Sequence, residues 1–269
     1  MLTVSDAMPV RSPAVHVRPL SGPAEMRAAV ALYREVFRLG ETDPAVSPRL
    51  LISLAHNGGS VVGAFDGGEL VGFAYGFGGI DPSGAVYHYS QMAAVRDDQQ
   101  GRGVGRALKL GQREQVLSTG VTAMRWSFDP ARTRNAHFNL DVLGAVARWF
   151  EPNLLGVEDV GRDRGMRTDR LIVEWDLTAD PDSAPRRAPA PPRVPWGETA
   201  RDGDAVLLGL PGDWDAHVAA DRAASVALRQ RVADVMGRLV AAGYAAVSCK
   251  VASGDTAVYR FVPDPQEKN

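Results

Sequence analysis

Between residues 100 and 106 the chain reads Gln100-Gly101-Arg102-Gly103-Val104-Gly105-Arg106, three glycines and two arginines in seven positions. Glycine lets backbone amides approach a ligand closely and adopt conformations that a Cβ would strain. The turn falls between a strand-like pattern and a helix-like one, so its amides sit at a helix start, where unpaired N–H groups and the macrodipole favour an anion. Arg102 and Arg106 add positive charge suited to a pyrophosphate. Spacing alone leaves a structural turn and a phosphate site equally open. It does exclude two nucleotide motifs: the Gly-Lys-Ser/Thr of a P-loop is absent, and Arg106 stands where the last glycine of G-x-G-x-x-G would be.

The elements that must position this turn follow from pattern. A short strand at Val15 to Leu20 is followed by a helix over Pro23 to Phe37, with Met26, Val30, Tyr33 and Phe37 at helical spacing, and by a second helix over Ser47 to His56. Two apolar runs, Ser60 to Phe65 and Leu70 to Tyr75, flank Asp66-Gly67-Gly68 and predict a hairpin. After Asp81-Pro82-Ser83-Gly84 comes a strand over Val86 to Val95. Beyond the glycine turn lie a helix to about Ser118, a strand over Ala123 to Phe128, a helix over about Ala136 to Leu143, and strands over Ala145 to Phe150 and Thr168 to Leu177. The fold class is therefore mixed α/β, with antiparallel strands first and one strand–helix–strand crossover.

Six prolines between Pro181 and Pro195 predict a linker. The expected domains are 14–178, a linker at 179–198, and a small α/β module at 199–269, with residues 1 to about 13 a frayed tail. In that module Val206 to Leu210 is apolar. A long helix over Asp221 to Ala242 carries Leu228, Val232, Val235, Met236 and Leu239 on one face, and Tyr244 to Val251 with Ala257 to Val262 straddles Ser253-Gly254-Asp255 as a hairpin. Arg222, Arg229, Arg231 and Arg238 punctuate the helix as a solvated face or an anion-binding one. The apolar face needs a partner, either the edge of the preceding sheet or a second copy, so a homodimer is an expectation.

Composition bounds the partners. With 45% hydrophobic and 23% charged residues, 30 basic against 32 acidic, the chain is ordinary globular protein, and its net charge of -2 supplies no global attraction for nucleic acid or an anionic membrane. The single Cys249 excludes an internal disulfide framework, a Cys-rich zinc site and a CxxC pair, and is expected as a small core hydrophobe; no metal is expected. No apolar run reaches the ~20 residues that span a bilayer, and the expected location is cytoplasmic.

Gln100, Gly103 and Gly105 match the Gln/Arg-x-x-Gly-x-Gly/Ala signature of the GNAT superfamily of N-acetyltransferases, which the chain resembles over about Val15 to Leu177. The resemblance implies a GNAT-like acyl-CoA N-acyltransferase fold, a mostly antiparallel sheet flanked by helices, with acetyl-CoA as co-substrate. It implies a cofactor site at Ala93, Ala94 and Val95, where strand backbone pairs with the pantetheine arm, at Gln100, Gly101, Arg102, Gly103, Val104, Gly105 and Arg106, and at Asn135. The cofactor would lie in a V-shaped gap between the strands ending at Val95 and beginning near Ala123. The stretch Arg134 to Leu140 also looks like a subset of GNAT proteins with a C-terminal extension. The implied activity is acetyl transfer to a primary amine of a small molecule or peptide, by direct attack in a ternary complex; the alternative is a non-catalytic acyl-CoA-binding or sensing module.

The family's acid and base do not carry over. Tyr89 stands at the position of the usual glutamate, and Leu140 close to that of the usual tyrosine. Local candidates are His137, which follows Asn135 and carries the side chain best matched to proton transfer near neutrality, and Tyr89 or His88. These two are neighbours on a strand and so point to opposite faces. Asp129 in Phe128-Asp129-Pro130 is expected to open a turn, and Trp126 and Trp149 to serve as core or cleft wall. His16, His56 and His217 lack motif support.

Overall fold

A computed structural model describes residues 15–157, 165–181 and 190–264. The expected N-terminal tail and residues 182–189 of the expected linker lie outside the described residues. The chain groups into two compact units, Met1–Gly76 with Met92–Gln115, and Phe77–Gln91 with Val116–Asn269. The fold is the mixed α/β arrangement expected, mostly antiparallel strands with helices.

In the first unit, β1 (His16–Pro19) leads into α1 (Gly22–Phe37) and α2 (Pro48–His56), then β2 (Ser60–Asp66), and β3 (Glu69–Ile80) up to Gly76. β1 pairs antiparallel with β2, and β2 with β3. Gly67 and Gly68 join the hairpin with φ of 56° and 93°, the two positive values that a tight turn matching strand twist requires. Between Ala64 and Phe65 the register shifts. The extra residue is Val71, and the bulge turns its side chain to the face that already takes Val62, Ala64 and Ala74. Those residues pack under Val104 and Leu108 of α3 (Val104–Leu117). Val61 and Phe73 face Met26, Ala29, Leu32 and Leu51 of α1 and α2, so apolar residues on both pleat faces leave this sheet covered on both sides.

β4 (Val86–Val95) belongs to the second unit up to Gln91, and there it runs parallel to β5 (Ala123–Phe128) at His88↔Met124 and Tyr89↔Arg125. β6 (Val146–Glu151) and β7 (Arg170–Asp176) follow in sequence, and β7 inserts between β5 and β6, antiparallel to both. The sheet continues into the C-terminal segment. β8 (Thr199–Asp202), β9 (Ala205–Pro211), β10 (Tyr244–Ser253) and β11 (Thr256–Pro263) add in the order β6-β10-β11-β9-β8, with Ala246 of β10 opposite Ala147. The edge of β6 is thus covered by this chain's own strand.

Three local features depart from sequence expectation. α4 starts at Thr133 and ends at His137, where a helix from Ala136 was expected, and a π-helical turn runs Phe138–Val142. Leu143 N–H reaches back to Phe138 O at 3.0 Å, and Gly144, with φ of 74°, ends the turn. β8 is exposed along its whole length and carries no alternation to reveal it; it is held by its hairpin with β9. α5 (Trp214–Ala220) and α6 (Arg222–Ala241) are separate helices, capped by Asp213 on Ala216 N–H and by Asp221 on Ala224 N–H.

Every residue of β9 is buried, because residues 190–198 cross it. Val194 packs with Leu207 and Val258, and Trp196 bridges Gly209 in parallel. A Cβ at Gly209 would collide with the backbone oxygens of Val194 and Pro195. Gly209→Ala is therefore expected to destabilise the fold by about 3 kcal/mol in urea unfolding. A change within ~1 kcal/mol would mean that this crossing segment is not seated on β9.

Candidate acyl-CoA loop and histidine–carboxylate cluster

In the first unit the Gly-rich stretch is a shaped loop. β4 ends at Val95, a 3-10 turn spans Asp97–Gln99, and α3 begins at Val104. Gly101 and Gly103 have φ of 74° and 86°, a region that side-chain-bearing residues enter only with strain. A Cβ on either would meet no atom within 4 Å, so the space above both glycines is open. Gln100 fastens the loop, its Nε2 donating to Val95 O at 3.1 Å and to Asp97 Oδ1 at 3.0 Å. Arg102 donates to Gln99 Oε1 at 3.0 Å.

The first helical bond of α3 runs from Ala107 N–H to Gly103 O, so the Val104, Gly105 and Arg106 amides precede the ladder. The first turn holds no acidic residue, and it holds Arg106. A cation at a helix N-terminus opposes the macrodipole, an arrangement that an anion at the same place would relieve. Val104 and Leu108, both buried, fix the helix on the sheet. Ala94 turns its side chain into the core, Val95 is half-buried and Ala93 is exposed.

The remaining candidates belong to the second unit. His88 is buried and Tyr89 half-buried on successive positions of β4, the opposite faces that the pleat requires. Tyr89 donates its hydroxyl to Ser127 Oγ at 3.2 Å, and its ring lies 5.7 Å from that of Phe77. Asn135 is exposed on α4. Leu140, at the usual tyrosine position, is buried and offers no proton.

His137 bonds to neither β4 residue. Its Nδ1 lies 2.9 Å from Cys249 O and 3.2 Å from Asp141 Oδ2. Asp141 is 3% exposed, yet amply bonded: Ser248 Oγ donates to it at 2.7 Å, Cys249 N–H at 2.8 Å, and Lys250 Nζ lies 3.6 Å away. Burial alone would raise its pKa, but the bonds from His137, Ser248 and Cys249 outweigh it and hold the carboxyl below its usual range. The bond to Asp141 raises the imidazole's pKa; burial and the Lys250 charge oppose this, and the Cys249 carbonyl adds to it.

Sequence reasoning passed over Asp141, Ser248 and Lys250. Only an acid one helical turn beyond His137 hinted at the pair. It also passed over Asn139, buried beside these groups in sequence and accepting from Trp126 Nε1 at 3.2 Å.

The loop leading into α4 is clamped by the C-terminal segment. Asp129 opens a turn as expected, accepting from Ala131 N–H at 2.9 Å, and its other oxygen takes Arg229 at 2.7 Å. Tyr259 donates to Pro130 O at 2.8 Å, Arg132 pairs with Asp215, and Thr133 donates to Gly212 O at 3.0 Å. Arg229 is thus a buried ion partner rather than part of a solvated face, with its guanidinium 5.6 Å from the Trp214 ring. Trp126 is core, edge-on to Trp175, whereas Trp149 is 36% exposed under the Arg125 guanidinium.

Among the described residues no three His, Cys, Asp or Glu side chains gather as a metal site, and no helix is long and apolar enough to cross a membrane.

No protein-family model matches the sequence, and no curated protein matches it either. Solved structures do match. An acetyltransferase of the GNAT family from Streptococcus pneumoniae is 14% identical, with a TM-score of 0.49 over 60% of this chain and 99% of that one. A GNAT superfamily phosphinothricin acetyltransferase from Sinorhizobium meliloti, in complex with acetyl-CoA, is 18% identical, with a TM-score of 0.48 over 62% and 92%. The ribosomal-protein-S18-alanine N-acetyltransferase of Escherichia coli is 16% identical, with a TM-score of 0.46 over 63% and 97%.

Replacing Arg229 by Met would take the cation from the Asp129 carboxylate, which is 12% exposed and would keep only the Ala131 amide, whereas Asp169 would keep Arg167 at 3.0 Å. The expected cost is about 3 kcal/mol in denaturant unfolding; a loss below ~1 kcal/mol would mean that water already solvates Asp129. In its motif and its strand order, the chain resembles the GNAT superfamily of acetyltransferases.

Proposed function

We propose that the chain is an acetyl-CoA-dependent N-acetyltransferase, acting on a primary amine of a small molecule or peptide by direct attack in a ternary complex. The observation that carries this reading is the loop from Gln100 to Arg106. Two left-handed glycines leave open space beside the first amides of a 14-residue helix, and two arginines stand where an anion is favoured. These residues suit the pyrophosphate of acetyl-CoA. The Ala93 to Val95 backbone suits its amide-bearing arm. In the transfer, the amine lone pair forms a C–N bond to the thioester carbonyl carbon as the C–S bond breaks. The leaving thiolate takes a proton to become free CoA, and the ammonium surrenders its extra proton to a base. His137, Tyr89 and His88 are the local candidates for moving these protons, and positioning supplies much of the rate.

A second reading, a non-catalytic acyl-CoA-binding or sensing module, is favoured by one observation. Tyr89 and the buried Leu140 occupy the places of the family's usual acid and base. The two readings share the loop and differ in turnover.

Gly103→Val puts a branched side chain into the open space, at a φ of 86° that costs on the order of 1–3 kcal/mol. The variant is expected to fold and to lose at least about tenfold in acetyl-CoA affinity, about 1.4 kcal/mol, by calorimetric titration. Undiminished affinity would remove the loop from the cofactor site. Amine-dependent thiol release by the wild type supports the transferase; tight binding without release from a broad amine panel supports the sensor.

A further inference from the structure

The way His137 is held defines which of its nitrogens carries a proton. Nδ1 faces two acceptors, the Cys249 carbonyl at 2.9 Å and Asp141 Oδ2 at 3.2 Å. A bare Nδ1 would set a lone pair against two oxygens, so the neutral ring carries its proton on Nδ1 and its lone pair on Nε2. The side chain is 49% exposed, whereas Asp141 behind it is 3% exposed. The ring is therefore fastened at one nitrogen on its inner side, with the other left as a proton acceptor.

The holder is built from a distant part of the chain. Between Ala246 and Ser248 the register of β10 against β11 shifts, and the bulge at Val247 re-aims the residues that follow. Ser248 and Lys250 then share a face and both reach Asp141 Oδ1, at 2.7 and 3.6 Å. Cys249 pairs with Tyr259 of β11 in the ladder. Its own N–H and C=O nevertheless go to the Asp141 carboxylate and the His137 ring, two side chains standing in for a neighbouring strand. A carboxylate buried among four such groups is rigid and charged. A rigid anion behind Nδ1–H is what orients an imidazole and stabilises the imidazolium formed when Nε2 takes a proton.

We propose that His137 is the general base of the acyl transfer, and that Asp141, held by Ser248, Cys249 and Lys250, is the residue that positions it. This rests on the transferase reading above. The step balances simply: one N–H bond of the acceptor ammonium breaks, its electron pair stays on the amine nitrogen, and the proton bonds to Nε2 and later passes to water. The charged and titratable groups acting on the ring are Asp141 on its own element and Lys250 on β10. Because a base works unprotonated, activity rises with pH through the His137 titration, which the Asp141 bond sets above the ordinary histidine range.

Two variants separate this role from mere capping of β10. His137→Asn keeps an N–H donor near the Nδ1 position and lacks the Nε2 acceptor; Asp141→Asn keeps oxygen acceptance and removes the charge. In 15N NMR the wild-type ring is expected as the Nδ1–H tautomer. Asp141→Asn should move both the His137 titration and the rising limb of kcat/KM to lower pH. His137→Asn should lose about 10²- to 10⁴-fold in kcat, with acetyl-CoA affinity and thermal midpoint close to wild type. An Nε2–H tautomer, an unmoved titration in Asp141→Asn, or near-normal kcat in His137→Asn overturns the dyad while leaving the transferase standing. A wild type that binds acetyl-CoA and releases no thiol with any amine overturns the transferase reading and, with it, the base.

Discussion

A carboxylate taken out of water must be surrounded by donors, and Asp141 shows how much structure that requirement organises. Its oxygens take a hydroxyl, a backbone amide and an imidazole N–H, with an ammonium nearby, and three of the four come from consecutive residues of β10. Removing those donors would leave a buried charge costing several kcal/mol. The π-helical turn Phe138–Val142, the bulge at Val247 and the ring plane of His137 all meet at this one group. A strand more than a hundred residues later in the chain thereby supports the short helix α4.

Neighbouring contacts repeat the same logic. Arg229 neutralises Asp129 at the loop that enters α4, Tyr259 and Thr133 exchange hydroxyl bonds with backbone oxygens across the same region, and Arg132 pairs with Asp215. Each is a polar group at or near a buried position, satisfied by a partner from the other side of residues 178–198. The C-terminal segment is thus bonded directly to the loop and helix that carry the histidine, and its strands continue the sheet from β6.

The Gln100 to Arg106 loop depends on something different, namely the absence of side chains. Gly101 and Gly103 supply left-handed backbone where nothing fills the space above them, and α3 is pinned by Val104 and Leu108 from below. Its start, with no acid in the first turn, differs from those of α5 and α6, which carry capping aspartates.

Local rules made much of this legible in the letters alone. Period-2 and period-3.6 patterns and glycine turns located α1 to α3, β2 to β7 and the Gln100 to Arg106 loop, because each depends on residues close in sequence. The order of those elements carried the mixed α/β class and the resemblance to the GNAT superfamily. β8 stayed hidden because four exposed residues have no alternation to display, and α5 because it is a capped stretch of only seven residues.

The partners of His137 and Arg229 were beyond reach for another reason. Arg229 reads as one of several arginines along a helix, and Cys249 as a core thiol. Only the tertiary structure turned the first into a buried ion partner and the second into a backbone donor and acceptor for a histidine and an aspartate. Their partners lie about a hundred residues away, where no periodicity or spacing carries information. The sequence by itself determined which segments become helix, strand and glycine loop. Burial, and the need to satisfy every polar group within it, decided which side chains meet.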